Sequence, residues 1–94
     1  MSWINLGEVY YTIHRAAGGA EAESTLALLR PILTLDAVTS ERVLAAARVK
    51  ALHPLAYGDA FAIATAAAHE AVLLTGDPEI TARPVGCRVE DLRK

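Results

Sequence analysis

The chain has 94 residues and a mass of 10.0 kDa, which fits one domain of roughly 100–150 residues and excludes two. Apolar residues make up 53% and charged residues 21%, which excludes disordered and fibrous classes, and nineteen alanines against 5% aromatic residues predict a thin core of closely packed helices. Nine Lys and Arg against eleven Asp and Glu leave a net charge of −2, so the chain lacks the basic footprint of a duplex-binding protein and any nucleic-acid role needs local basicity.

In chain order, Leu6, Val9, Tyr10, Ile13 and Ala17 recur at helical spacing and predict a helix from Asn5 to Ala17, stopped by Gly18-Gly19. Asn5, Glu8, Thr12 and Arg15 form a polar stripe on its other side. A second helix is predicted from Ala20 to Arg30, with Glu21 and Glu23 in its first turn and Pro31 closing it. Ile32 to Val38 is short, β-prone and bounded by breakers, and reads as a strand. Thr39 or Ser40 caps a third helix that runs to about Leu52, before His53-Pro54. The stretch from Gly58 to Ala71 is a fourth helix, apolar on nearly every side and therefore expected inside. Val72 to Thr75 is a second strand, Gly76-Asp77-Pro78 a turn, and Pro84 to Val89 a third, weaker strand before a charged tail.

Strands separated by helical crossovers imply parallel pairing in an α/β sandwich. Three strands make a narrow sheet, and the chain opens on a helix where such folds usually open on a strand. Cys87 has no partner for an intrachain disulfide and reads as a buried thiol in a reducing compartment. No run approaches the ~20 apolar residues of a membrane span, and the opening residues lack the basic segment of a signal peptide, so the expected location is cytoplasmic, away from membranes. His14, His53 and His69 lack zinc-type spacing. Trp3, Tyr10 and Tyr11 read as core or interface residues, with base stacking as the alternative. No nucleophile motif and no phosphate-cradling glycine loop is present.

Three carboxylates stand out. Glu8 lies on the polar stripe, where a solvated face is the plain explanation. Asp59 opens a helix whose following same-face residues, Ala62, Ile63 and Ala66, are apolar; an N-cap or first-turn role is its plain explanation. Asp77 follows a strand, where ligands of open α/β sheets bind, although a turn-forming Asp-Pro step accounts for it equally. Were the three to meet, each pair of charges about 4 Å apart would repel by about 4 kcal/mol at an effective dielectric constant of about 20. A cation would be needed, and oxygen ligands of this kind suit Mg²⁺ or Mn²⁺ in phosphodiester chemistry.

The stretches Ile4-Asn5-Leu6-Gly7-Glu8-Val9-Tyr10-Tyr11, Tyr57-Gly58-Asp59-Ala60-Phe61-Ala62-Ile63-Ala64-Thr65-Ala66 and Leu73-Leu74-Thr75-Gly76-Asp77-Pro78-Glu79 closely resemble, in order and separation, three motifs of the PIN domain, above all VapC-type toxins of bacterial toxin–antitoxin pairs. The resemblance implies a three-layer α/β/α sandwich with a parallel sheet and a Mg²⁺- or Mn²⁺-dependent ribonuclease site. By position, Glu8, Asp59 and Asp77 resemble its catalytic, metal-binding carboxylates, and Asn5 and Thr75 resemble the polar groups that support them. Glu79 is readable either as part of that site or as a turn residue.

The family pattern begins with a further strand that carries another metal-binding aspartate, and only Met1-Ser2-Trp3 precede the first motif here. The expectation is a single, partial PIN-like domain over residues 1–94 without that strand, completed by a homodimer or higher oligomer. RNA as substrate and a cognate antitoxin as partner follow from the resemblance. The alternative is a catalytically incomplete remnant that acts only through oligomerisation or antitoxin binding.

Overall fold

The computed structural model describes residues 1–82 and 84–93. They form two compact units, Met1–Val38 and Thr39–Lys94, each containing a packed helix pair.

In the first unit, α1 (Trp3–Ala17) begins two residues ahead of its predicted start because Ser2 caps it. Ser2 is extended, and its hydroxyl accepts the Ile4 N–H at 3.1 Å, satisfying one of the donors that open a helix. Gly18 has φ 94°, a conformation that costs a side-chain-bearing residue, and α2 (Gly19–Leu29) starts directly after it. Leu6 and Val9 of α1 face Ala22, Leu26 and Leu29 of α2 across a seam with no room for water. The Tyr10 hydroxyl donates to Glu23 at 2.6 Å across the same pair. That hydrogen bond favours the protonated phenol and raises its pKa, helped by the nearby negative charge of Glu23.

The strand predicted at 32–38 does not form. Residues 30–33 turn, Ile32 is 75% exposed, and Asp36 alone pairs, in a parallel bridge with Ser2. Around it the Trp3 N–H donates to the Asp36 carbonyl at 3.1 Å and the Asp36 N–H to the Met1 carbonyl at 2.8 Å. The Met1 ammonium adds a bond to the Thr34 carbonyl at 3.0 Å. A β-prone run needs a neighbour of comparable length, and residues 1–2 support one bridge and no more.

In the second unit, α3 (Ser40–Leu52) is capped by Thr39, whose hydroxyl accepts the Arg42 N–H at 3.1 Å. It ends at extended His53 ahead of Pro54, as the sequence implies. Helix α4 (Tyr57–Ala68) buries Ala60, Phe61, Ile63, Ala64, Thr65 and Ala66, in keeping with its all-round apolar character. It stops three residues short of the predicted Ala71. The Ala71 N–H donates to the Ala66 carbonyl at 2.8 Å and the Glu70 N–H to the Ala67 carbonyl at 3.2 Å, with Glu70 at φ 51°. This is a Schellman ending in which glutamate occupies the left-handed position usually held by glycine.

Strand β1 (Val72–Thr75) pairs in parallel with β2 (Arg88–Asp91), Val72 opposite Arg88 and Thr75 opposite Asp91. The predicted third strand at Pro84 to Val89 is thus displaced: Pro84 to Cys87 is irregular, with Gly86 at φ 94°, and pairing starts at Arg88. The sheet has two strands among the described residues, where three were expected. The predicted turn at Gly76 to Pro78 leads into a short helix, α5 (Pro78–Thr81). Leu55, Ile63, Ile80 and Val85 form the core, against which Val49, Leu73 and Val89 pack. Cys87 is half-buried instead of buried, and that burial raises its thiol pKa. The Lys94 end of the predicted charged tail lies outside the described residues.

The left-handed Glu70 carries a testable cost. A side-chain-bearing residue there costs roughly 1–2 kcal/mol, and glycine's greater unfolded-state freedom returns about 0.5–1 kcal/mol of that. Glu70→Gly is therefore expected to stabilise the chain by about 0.5–1 kcal/mol in urea unfolding, with Glu70→Ala within about 0.5 kcal/mol of the parent. A lower midpoint for the glycine variant would contradict this reading of the helix end.

Candidate functional site

The polar stripe of α1 is organised around Glu8. Asn5 precedes it by three residues, which puts both side chains on one helix face, and the Asn5 amide Nδ2 donates to Glu8 Oε1 at 3.0 Å. One carboxylate oxygen is thereby oriented by a neutral donor. Thr12 donates to the Glu8 carbonyl at 2.7 Å, and Glu8 itself is half-buried. Arg15, the last member of the stripe, lies over the Tyr11 ring at 5.1 Å, and Arg30 lies over Trp3 at 5.4 Å. Trp3 and Tyr11 are 41% and 47% exposed, so these rings belong to cation–π pairs at the surface and not to the core.

In the second unit, Asp59 sits in the first turn of α4, half-buried, where the positive end of the helix favours a carboxylate. It is not the cap, because Ala56 holds that position. Asp77 is the N-cap of α5: its Oδ1 accepts the Glu79 N–H at 2.9 Å. Glu79 is exposed and supplies only its backbone to this turn. Thr75 closes the same turn from the strand side, since its hydroxyl accepts the Asp77 N–H at 3.1 Å. Thr75 and Asp77 are thus brought together at the carboxyl end of β1, and Asn5 and Glu8 on α1. Glu8 belongs to the first unit, and Asp59 and Asp77 to the second.

Two residues that the sequence did not single out complete the sheet edge. Asp91 is the last residue of β2 and lies opposite Thr75 in the parallel register. Arg93 binds it through both ends of the carboxylate, with Nε 3.0 Å from Oδ1 and Nη2 2.8 Å from Oδ2. Arg93 Nη2 also donates to Thr81 at 3.0 Å. The Asp91 hydrogen bond raises the pKa of the Arg93 guanidinium, with the charges of Asp91 and Asp77 acting the same way. The displaced strand boundary concealed this pair: with β2 ended at Val89, Asp91 and Arg93 read as an undifferentiated charged tail. Placing the strand two residues later would have set Asp91 beside Thr75.

Within neither unit does a group of three or more described His, Cys, Asp or Glu side chains converge as a metal site. No described helix is long and apolar enough to cross a membrane. The Asp77 cap constrains the choice of variant, because asparagine caps a helix as well as aspartate does while alanine loses about 1 kcal/mol. Asp77→Asn therefore removes the charge and keeps the turn.

Among known protein families, the PIN domain model matches residues 1–85 of the chain. No curated protein and no solved structure matches it.

Proposed function

The chain belongs to the PIN domain family, whose members point to nuclease activity with divalent metal ions, and from that membership we propose a metal-dependent ribonuclease of the VapC toxin type. The observation that supports the reading is the Asn5–Glu8 hydrogen bond. A neutral amide that orients one oxygen of a half-buried carboxylate is the outer support that a metal-ligating carboxylate requires. The reading includes a cytoplasmic RNA substrate, a cognate antitoxin that blocks the site, and residues 1–94 as one partial domain of a three-layer sandwich.

The donor chemistry fits the ion. Glu8, Asp59 and Asp77 are half-buried carboxylates, and oxygen-only donors of this kind select Mg²⁺ or Mn²⁺ over softer metals. In this reading Glu8, Asp59 and Asp77 hold the ion through their carboxylate oxygens. Bound there, a divalent ion supplies a lowered pKa for water and neutralises charge on a phosphodiester. Asn5 fixes the orientation of Glu8, and Thr75 fixes the turn that carries Asp77.

A second reading, a catalytically incomplete member that acts by association, has two observations in its favour. No three described metal-ligating side chains converge within either unit, and Leu28, Ile32, Leu52 and Leu92 are each more than 60% exposed. Self-association of the chain into a homodimer or larger oligomer would cover side chains of this kind. Sedimentation at micromolar concentration is expected to show that oligomer, and a well-folded monomer would contradict it.

Cleavage of single-stranded RNA in Mn²⁺ separates the two readings. The ribonuclease reading expects cleavage that EDTA abolishes, and that Glu8→Gln, Asp59→Asn and Asp77→Asn each remove. Asn5→Ala is expected to lower it by about 10–100-fold. Equal cleavage by the parent and by the Glu8→Gln/Asp59→Asn double variant would eliminate the proposed site. A folded parent without cleavage would leave the association reading.

A further inference from the structure

Arg93 is built into the sheet edge on three sides. Its stem passes over Gly76, where an added methyl group would meet Arg93 Cγ at 3.5 Å. Its Nε and Nη2 are fixed on Asp91, and Nη2 reaches Thr81 as well. The Asp91 side chain is 11% exposed and that of Arg93 52%. The anchor is therefore covered while the cation faces solvent. A guanidinium carries five N–H protons in a planar fork. Three are used by Asp91 and Thr81, and among the described residues the two Nη1 protons meet no acceptor. An open depression of about 390 Å³, lined by Thr81, Val89, Glu90 and Asp91, adjoins the anchoring residues.

The charge arrangement decides what such an arginine can recognise. Asp91 neutralises it only from one side, and Asp77, on the turn that the Arg93 stem covers, is a candidate reaction residue. A fixed guanidinium with one nitrogen still open, its two N–H bonds diverging in the plane of the fork, can donate to a phosphate oxygen while its other edge stays anchored. A loosely held lysine would supply charge without that geometry. Because its stem lies over Gly76 of the Thr75–Asp77 turn and its anchored guanidinium keeps the Nη1 protons open, we propose that Arg93 contacts a backbone phosphate of single-stranded RNA and sets the strand's position against that turn. The proposal rests on the ribonuclease reading and adds to it a substrate-contacting residue. Arg93 ligates no metal and takes no proton in this role.

The test uses the full chain in EDTA, so that binding is read without cleavage. Affinity for a short fluorescein-labelled single-stranded RNA is measured by anisotropy across a salt series. Each phosphate contact on a single strand contributes about 0.7 to the slope of log affinity against log salt. Arg93→Gln and Arg93→Met, the latter keeping the stem over Gly76, are both expected to flatten the slope by about 0.7, while Arg93→Lys keeps it. A slope unchanged in either variant that retains the parent's circular dichroism would overturn the proposal, and EDTA-sensitive cleavage by the parent would still stand. A parent that binds no RNA over the whole salt series would overturn the proposal, and the ribonuclease reading is then decided separately by the absence or presence of cleavage in Mn²⁺.

Discussion

A carboxylate drawn out of water needs a hydrogen-bond donor, and two carboxylates of this chain meet that need in different ways. At the carboxyl end of the two-stranded sheet, Asp91 would be a nearly buried carboxylate beside the Thr75–Asp77 turn, and the Arg93 guanidinium meets it with two charge-assisted hydrogen bonds. On α1 the compensation is different in kind. Glu8 receives a neutral amide from Asn5, which orients the carboxylate and leaves its charge intact. Of these two carboxylates, one is satisfied by a protein cation and the other is oriented by a neutral donor. That contrast separates a structural acid from a candidate metal ligand.

The fold supplies these positions through ordinary local rules. Ser2 and Thr39 cap their helices and Asp77 caps α5, and these caps fix where each helix begins. Asp77 has a structural role of its own as the cap of α5. Its Oδ1 holds the Glu79 N–H, and the same bond fixes the carboxylate at the end of β1. Glu70 shows the opposite case, a residue in a left-handed conformation that glycine would fill more easily, with its carbonyl accepting from Arg88 at 3.2 Å.

The parts of this molecule that depend on local pattern were legible in the sequence. Leu6, Val9 and Tyr10 announced the inward side of α1, of which Leu6 is fully buried, and the apolar surroundings of Phe61 and Ile63 announced the interior helix. The family was legible as well, because three motifs spread from Ile4 to Glu79 resemble its pattern, and the family model matches residues 1–85. Strands were harder, since a strand exists only with a partner. Ile32 to Val38 has the composition of one, yet it finds only Met1 and Ser2 and stays irregular apart from the bridge at Asp36. The last strand was misplaced because Val85 is apolar for the core and not for the sheet, and Gly86 breaks the chain before pairing begins at Arg88. That shift hid Asp91 and Arg93. Helix boundaries moved for the same class of reason, through the Ser2 cap and the Schellman ending at Glu70.

The proposed function names Glu8, Asp59 and Asp77 as metal-binding carboxylates. Mn²⁺ binding tests it most directly, followed through the loss of the hexaaqua ion's paramagnetic resonance signal on adding protein. The account predicts saturable binding by the parent and weaker binding by each of Glu8→Gln, Asp59→Asn and Asp77→Asn, all three measured on folded material. Unchanged Mn²⁺ affinity in any one of them would remove that residue from the site, and unchanged affinity in all three would contradict the account.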